Sequence, residues 1–175
     1  MIRFLRKALV VGLLLSAPAA QAADRIPAGG APIDMRDVVV KLTLITQQNA
    51  SKLGIKTGKA TCPGSVIAKP NKVTKFQCTV PYESEIAPYI VTFDLTNNSF
   101  NISPDRAILS TKLLGDFVVS QLTRPDPTAK ADCGKGKVLI RPVGAIVTCS
   151  VKGTSGSGAI AIKVTSLNGN VTIVA

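Results

Sequence analysis

Four cysteines limit what this chain can fold into. Cys62 and Cys78 lie 16 positions apart, and so do Cys133 and Cys149. The second pair follows the first at an offset of 71 positions. The offset extends beyond the cysteines without gaps. Thr57 meets Thr128, Lys59 meets Lys130 and Ala60 meets Ala131. Further on, Val80 meets Val151, Val91 meets Ile162, Phe93 meets Val164 and Ile102 meets Ile173. A fixed offset carrying alternating apolar matches is the mark of an internal repeat. Four cysteines allow three pairings. The repeat selects Cys62–Cys78 and Cys133–Cys149, so that each copy holds its own bridge.

Such bridges persist only where the compartment is oxidising. The start of the chain agrees with that. Arg3, Arg6 and Lys7 precede a short apolar run, Ala8 to Leu15, and then Ala20-Gln21-Ala22. A positive start, a short apolar stretch and a small-x-small ending make a secretory signal peptide at 1–22. The run is too short to span a bilayer, which needs about 20 apolar residues. The expectation is an exported protein, periplasmic or secreted, with no transmembrane segment once the signal is cut. No cysteine stands near the cut to carry a lipid.

A coarse pass gives an α+β chain of two tandem modules, each one helix packed on a three- to four-stranded antiparallel sheet. Residues 23–33 contain Pro and Gly and read as a flexible start. Module 1 spans 34–102 and module 2 spans 103–175. Asp34 is a capping residue, and Val38, Val39, Leu42 and Ile45 follow at roughly helical spacing through Lys52. Val40 to Leu44 also alternates like a strand. In the second copy, Ser103-Pro104-Asp105 reads as a helix start. Leu109, Leu113 and Phe117 form one row after it, with Leu114, Val118 and Leu122 beside them. Pro125 closes that helix.

Strands are expected at 56–62, 73–80, 89–95 and 99–102, and again at 129–133, 145–151, 159–165 and 170–174. Their period of two predicts one buried face. The other face is either exposed or packed against its twin. Thr96-Asn97-Asn98 and Asn168-Gly169 are hairpin signals at equivalent places. Residues 81–88 and 153–158 read as equivalent loops.

Composition narrows the function. The chain contains no His, which removes Ser-His-Asp, Cys-His and His-metal chemistry. There is no Gly-x-Ser-x-Gly elbow and no phosphate-binding loop. Glu83 and Glu85 lie in a Pro-bounded loop and read as a solvated tip. The expectation is a protein that is not an enzyme, with no metal and no cofactor. The net charge is +11, or +8 without Arg3, Arg6 and Lys7, and favours acidic partners. There is no Trp, and Tyr82 and Tyr89 are the only tyrosines. That poverty of stacking platforms argues against a specific nucleic-acid partner.

Two lysine clusters flank the cysteines. Lys56, Lys59, Lys69, Lys72 and Lys75 surround the first pair, and Lys130, Lys135, Lys137 and Arg141 surround the second. A solvated rim is the ordinary explanation for such residues. The functional one is a repeated cationic patch for an anionic envelope polymer, a lipid surface or an acidic protein.

Cys62-Pro63 after a strand, the Phe76-x-Cys78 strand, and Val91-x-Phe93-x-Leu95 before a hairpin resemble an exported bacterial family known only as a domain of unknown function. Lys72 or Val73 stands where that family often has Gly, and in the second copy Gly134 replaces the Pro while Gly144 is kept. The resemblance implies export or lipid anchoring and brings no activity with it. The tandem helix-plus-sheet plan is also similar to the secreted β-lactamase inhibitor proteins. That likeness implies an inhibitor or interaction role on a concave sheet surface, although those inhibitors use aromatic-rich faces that this composition does not supply.

Overall fold

The computed structural model describes residues 29–70, 72–122, 126–154 and 156–174. The expected signal peptide, residues 23–28 and Pro125 lie outside the described residues.

The two modules repeat one order of elements. The first contains β1 (Ala31–Pro32), α1 (Met35–Lys52), β2 (Ile67–Ala68), β3 (Val73–Tyr82), β4 (Glu85–Asp94) and β5 (Ser99–Pro104). The second contains β6 (Ala107–Ser110), α2 (Thr111–Ser120), β7 (Lys130–Asp132), β8 (Val138–Arg141), β9 (Ile146–Gly153), β10 (Gly156–Val164) and β11 (Val171–Val174). Strands β3, β4 and β5 form one antiparallel meander, and β9, β10 and β11 form another with β7 on its edge. Residues 57–61 take the place of β7 in the first module, with bridges from Thr57 to Tyr82 and from Thr61 to Thr79. A two-stranded ribbon completes each copy, β1 with β2 and β6 with β8.

The repeat is kept in the register itself. In the first meander Cys78 faces Tyr89, Val91 faces Ile102 and Phe93 faces Phe100. Adding 71 to each number gives Cys149 facing Ile160, Ile162 facing Ile173 and Val164 facing Val171, and those are the pairs found. A slip of one residue would turn every core side chain to water, so burial holds the register in both copies. The disulfides join Cys62 to Cys78 and Cys133 to Cys149.

Helix α1 begins where its sequence places it. The Asp34 side chain accepts the Arg36 N–H at 2.9 Å. Val38, Leu42, Thr46 and Ala50 form the buried row, and the Thr46 hydroxyl satisfies itself on the Leu42 carbonyl at 2.8 Å. This row joins Val80, Tyr82, Val91 and Phe93 in one apolar core. Burying a side chain of this size stabilises by roughly 1.5–3 kcal/mol.

Helix α2 departs from expectation. Ser103 and Pro104 do not start it; they end β5, paired with Ile90 and Tyr89. Ala107–Ser110 then pairs with β8, so Leu109 sits in a strand rather than in the helical row. The cap is Ser110, whose side chain accepts the Leu113 N–H at 3.4 Å. Counted from their caps, the two helices align at an offset of 76 positions, not 71. Leu114 and Val118 then take the places of Val38 and Leu42, and all four are buried. At Gly115 an added Cβ would lie 2.8 Å from the Ala131 carbonyl, so glycine is what lets α2 lie against β7.

Three other readings change. The flexible start is tied down from Ala31, which pairs with Ala68, and the Ile33 N–H donates to the Val66 carbonyl at 3.0 Å. Residues 81–88 and 153–158 are not loops; in the second module β10 begins at Gly156, paired with Gly153. Strands β3 and β4 run on to Tyr82 and from Glu85, and turn between them. Pro81 and Pro88 fit because their backbones face away from the β3–β4 ladder. Thr79, opposite Pro88, exchanges both of its bonds with Thr61, and the Pro81 carbonyl accepts Gly58 N–H at 2.9 Å.

The solvated tip is a docked one. The Glu85 carboxylate accepts the Ile140 N–H at 2.8 Å and pairs with Arg141 at 3.3 Å. Strand β8 lies between the modules. Its Val138 and Ile140 belong to the first core and its Leu139 to the second.

Candidate functional site

Each module covers one face of its meander and leaves the other open. In the first, Val73, Lys75 and Gln77 of β3 share the open face with Ile86, Ile90 and Thr92 of β4 and Asn101 of β5. Val73 and Ile86 are 58% and 65% exposed there. In the second, Thr148 and Ser150 of β9 stand beside Ala161 and Ala159 of β10, with Ile146 61% exposed at one end. Neither face packs against its twin, and the two meanders share no strand pairing. No aromatic side chain stands on either face among the described residues.

The lysines do not gather in one place. Lys69 and Lys72 bracket the turn between β2 and β3, and Lys75 follows on the exposed side of β3. Lys59 lies on the 57–61 segment, roughly 20 Å away along the strand direction at about 3.3 Å per residue. The Lys56 backbone is tied to Glu83, which it donates to at 3.3 Å. Lys137 lies 4.0 Å from Glu83, and Arg141 is engaged by Glu85. Lys135 is exposed in the turn before β8. Lys130 stands directly opposite Lys152, a like-charge pair across β7 and β9. Among the described residues, Lys56, Lys59, Lys69, Lys72 and Lys75 make no ion pair.

The groups with shifted titration lie away from these surfaces. The Tyr82 and Tyr89 hydroxyls bond each other at 2.6 Å inside the first core. Burial raises both phenols above the ordinary 10.0, Tyr89 further because of the Tyr82 hydroxyl beside it. The Asp126 carboxylate is held well below the usual range, chiefly by the Thr128 side chain and backbone and then by Thr154. Those four bonds, 2.6–3.0 Å long, fasten the β9–β10 turn to the start of β7. Among the described residues, no three His, Cys, Asp or Glu side chains gather as a metal site would require.

A groove of about 490 Å³ runs between α1 and residues 59–64. Met35, Val39, Val40 and Pro63 give it an apolar lining, and Arg36 and Lys59 stand in it as cations. The Cys62–Cys78 bridge and the bond from Ala60 N–H to the Thr43 hydroxyl, 3.1 Å, fix the wall to the sheet and the helix. The repeat pointed to Lys59. Arg36 and Val40 were missed, although their i, i+4 spacing puts them on one face of a helix whose other face is the Val38–Leu42 row.

Compared with known proteins, the chain matches no family model, no curated protein and no solved structure. No helix among the described residues is long and apolar enough to cross a membrane.

Proposed function

We propose that this chain is an exported, non-catalytic binding protein of the cell envelope or the secreted space, acting on another protein as an inhibitor or interaction partner. The observation that carries the reading is the open face of β3–β5. Val73 and Ile86 are uncovered on a surface that also holds Lys75, Gln77, Ile90, Thr92 and Asn101. β-Branched aliphatics left in water among polar groups with a single cation suit a protein contact.

The experiment is capture from envelope and secreted fractions by the oxidised protein, at low and high salt, beside Ile86→Asp and Val73→Asp. A discrete protein held at high salt by the parent and lost by both variants is the expected result. Retention that ignores both substitutions would sink the reading. A second reading rests on the five lysines of the first module that make no ion pair among the described residues. They would hold an anionic envelope polymer or lipid. Capture of such material only at low salt, lost on Lys69→Gln with Lys72→Gln, would favour it.

A further inference from the structure

We propose that the groove between α1 and residues 59–64 binds a fatty-acid carboxylate, with its chain on the apolar lining and its head group between Arg36 and Lys59. This inference does not rest on the sheet-face reading, which involves other residues.

The groove has the composition such a ligand needs. Met35, Val39, Val40 and Pro63 line it, the two charged residues are both cations, and no acid lines it. Its volume, about 490 Å³, falls within the roughly 300–1,000 Å³ typical of small-molecule sites. The Arg fork matches a carboxylate bidentately, and Lys59 adds a second positive charge.

Arg36 is also misplaced as a structural residue. It lies in the first turn of α1, where the helix dipole disfavours a cation, between the Asp34 cap and Asp37. No ion pair compensates it among the described residues. Val40, one turn on, is 55% exposed, so it leaves the rim of the groove uncovered.

The second module serves as an internal control. At the helix offset of 76, Arg36 becomes Lys112, Val39 becomes Gly115 and Val40 becomes Asp116. Lys130 takes the place of Lys59. The matching groove between α2 and β7 is again lined by these residues. There, however, Lys112 is paired with Asp116 at 2.9 Å, and the apolar lining is Val119, Ala129 and Ala131 in place of Met35, Val39, Val40 and Pro63. The two grooves share a position and two cations. Only the first keeps its helix cation without an acid one turn away, and only the first is lined by no acid at all.

Titration calorimetry of the oxidised chain with laurate, below its micelle concentration, tests the proposal. Dodecanol and dodecyltrimethylammonium serve as ligands with the same chain and a different head. Laurate is expected to bind one to one. Arg36→Gln and Lys59→Gln should each weaken it about tenfold, as loss of a charge-assisted contact does. Val40→Asp, which copies the second module, should abolish binding. Lys130→Gln should leave it unchanged. All four positions are exposed or at a rim, and circular dichroism checks that each variant is folded. Absence of saturable laurate binding, equal binding of the cationic amphiphile, or full binding by Val40→Asp would each overturn the proposal. So would a laurate site that responds to Lys130→Gln and not to Lys59→Gln.

Discussion

The carboxylate of Glu85, at the tip of the first meander, accepts the backbone N–H of Ile140 in the second module at 2.8 Å. The geometry follows from strand pairing. Thr111 N–H donates to the Lys137 carbonyl, which places the β6–β8 ladder bonds at Leu109 and Leu139 and turns Ile140 N–H outward. Glu85 therefore satisfies a partly buried donor that the ribbon leaves unpaired. Replacing Glu85 by Ala should cost about 1–3 kcal/mol, most of it from the orphaned N–H. The Arg141 pair is partly solvated and contributes less. Glu85→Gln keeps an acceptor and should lose less. Urea midpoints of the two variants decide this, and an equal loss in both would show that the ion pair dominates.

Gly115→Ala should destabilise although alanine favours helices. The gain in propensity is at most about 1 kcal/mol. The added Cβ meets the Ala131 carbonyl at 2.8 Å, and overpacking of this kind costs about 1–3 kcal/mol. A lowered melting temperature is the expected outcome. A raised one would mean that α2 lifts off β7 without penalty.

The Tyr82–Tyr89 pair makes a pH prediction. Both phenols are raised above 10.0 in the folded chain. The unfolded chain therefore loses these protons first as pH rises. The stability they contribute is full below pH 10 and falls above it. Alkaline titration followed by phenolate absorbance should show both tyrosines ionising with unfolding rather than before it. Tyr82→Phe should cost about 1–3 kcal/mol by stranding the Tyr89 hydroxyl. The double Phe variant should recover part of that loss.

The disulfides close loops of the same length, with the partners 16 positions apart in each. In the chain-entropy model each should be worth about 3 kcal/mol. Paired Cys→Ser variants of either bridge should lower stability by similar amounts. A large difference would place the greater loss on packing around the sulfurs, since Cys133 and Cys149 are both buried while Cys62 is only partly so.

The meanders were legible because two independent signals agreed on them. Alternation gave Val91 and Phe93 an inward face, and the offset of 71 repeated it at Ile162 and Val164. Helix α1 was legible from its cap and from Val38 and Leu42, although Ile45, expected beside them, faces water and Thr46 completes the buried row. Helix α2 was not, because Ser103-Pro104-Asp105 imitates a helix start while Ser103 and Pro104 are taken up by pairing with β4. Strand β8 gave no alternation to read. Val138, Leu139 and Ile140 are all buried, since neighbouring side chains enter different cores. Pro81 and Pro88 suggested a loop, and only the outward direction of the Thr79 backbone shows why a strand tolerates them. Of the basic residues, Lys59 was marked by the repeat. Arg36 was hidden because the helices follow a different offset from the sheets.

Strand β8 has a further consequence for the chain as a whole. A first module severed after Asp105 would lose Val138 and Ile140 from its interior and would leave the Glu85 carboxylate without its amide. Its own counterpart of that strand, β2, is two residues long and is already paired with β1. Such a fragment would present a vacant seam with one strand's worth of unmet contacts, and it would be sticky rather than self-sufficient. The dependence of the cores runs one way: the first takes Val138 and Ile140 from the second module, while the second core holds no residue before Ala107.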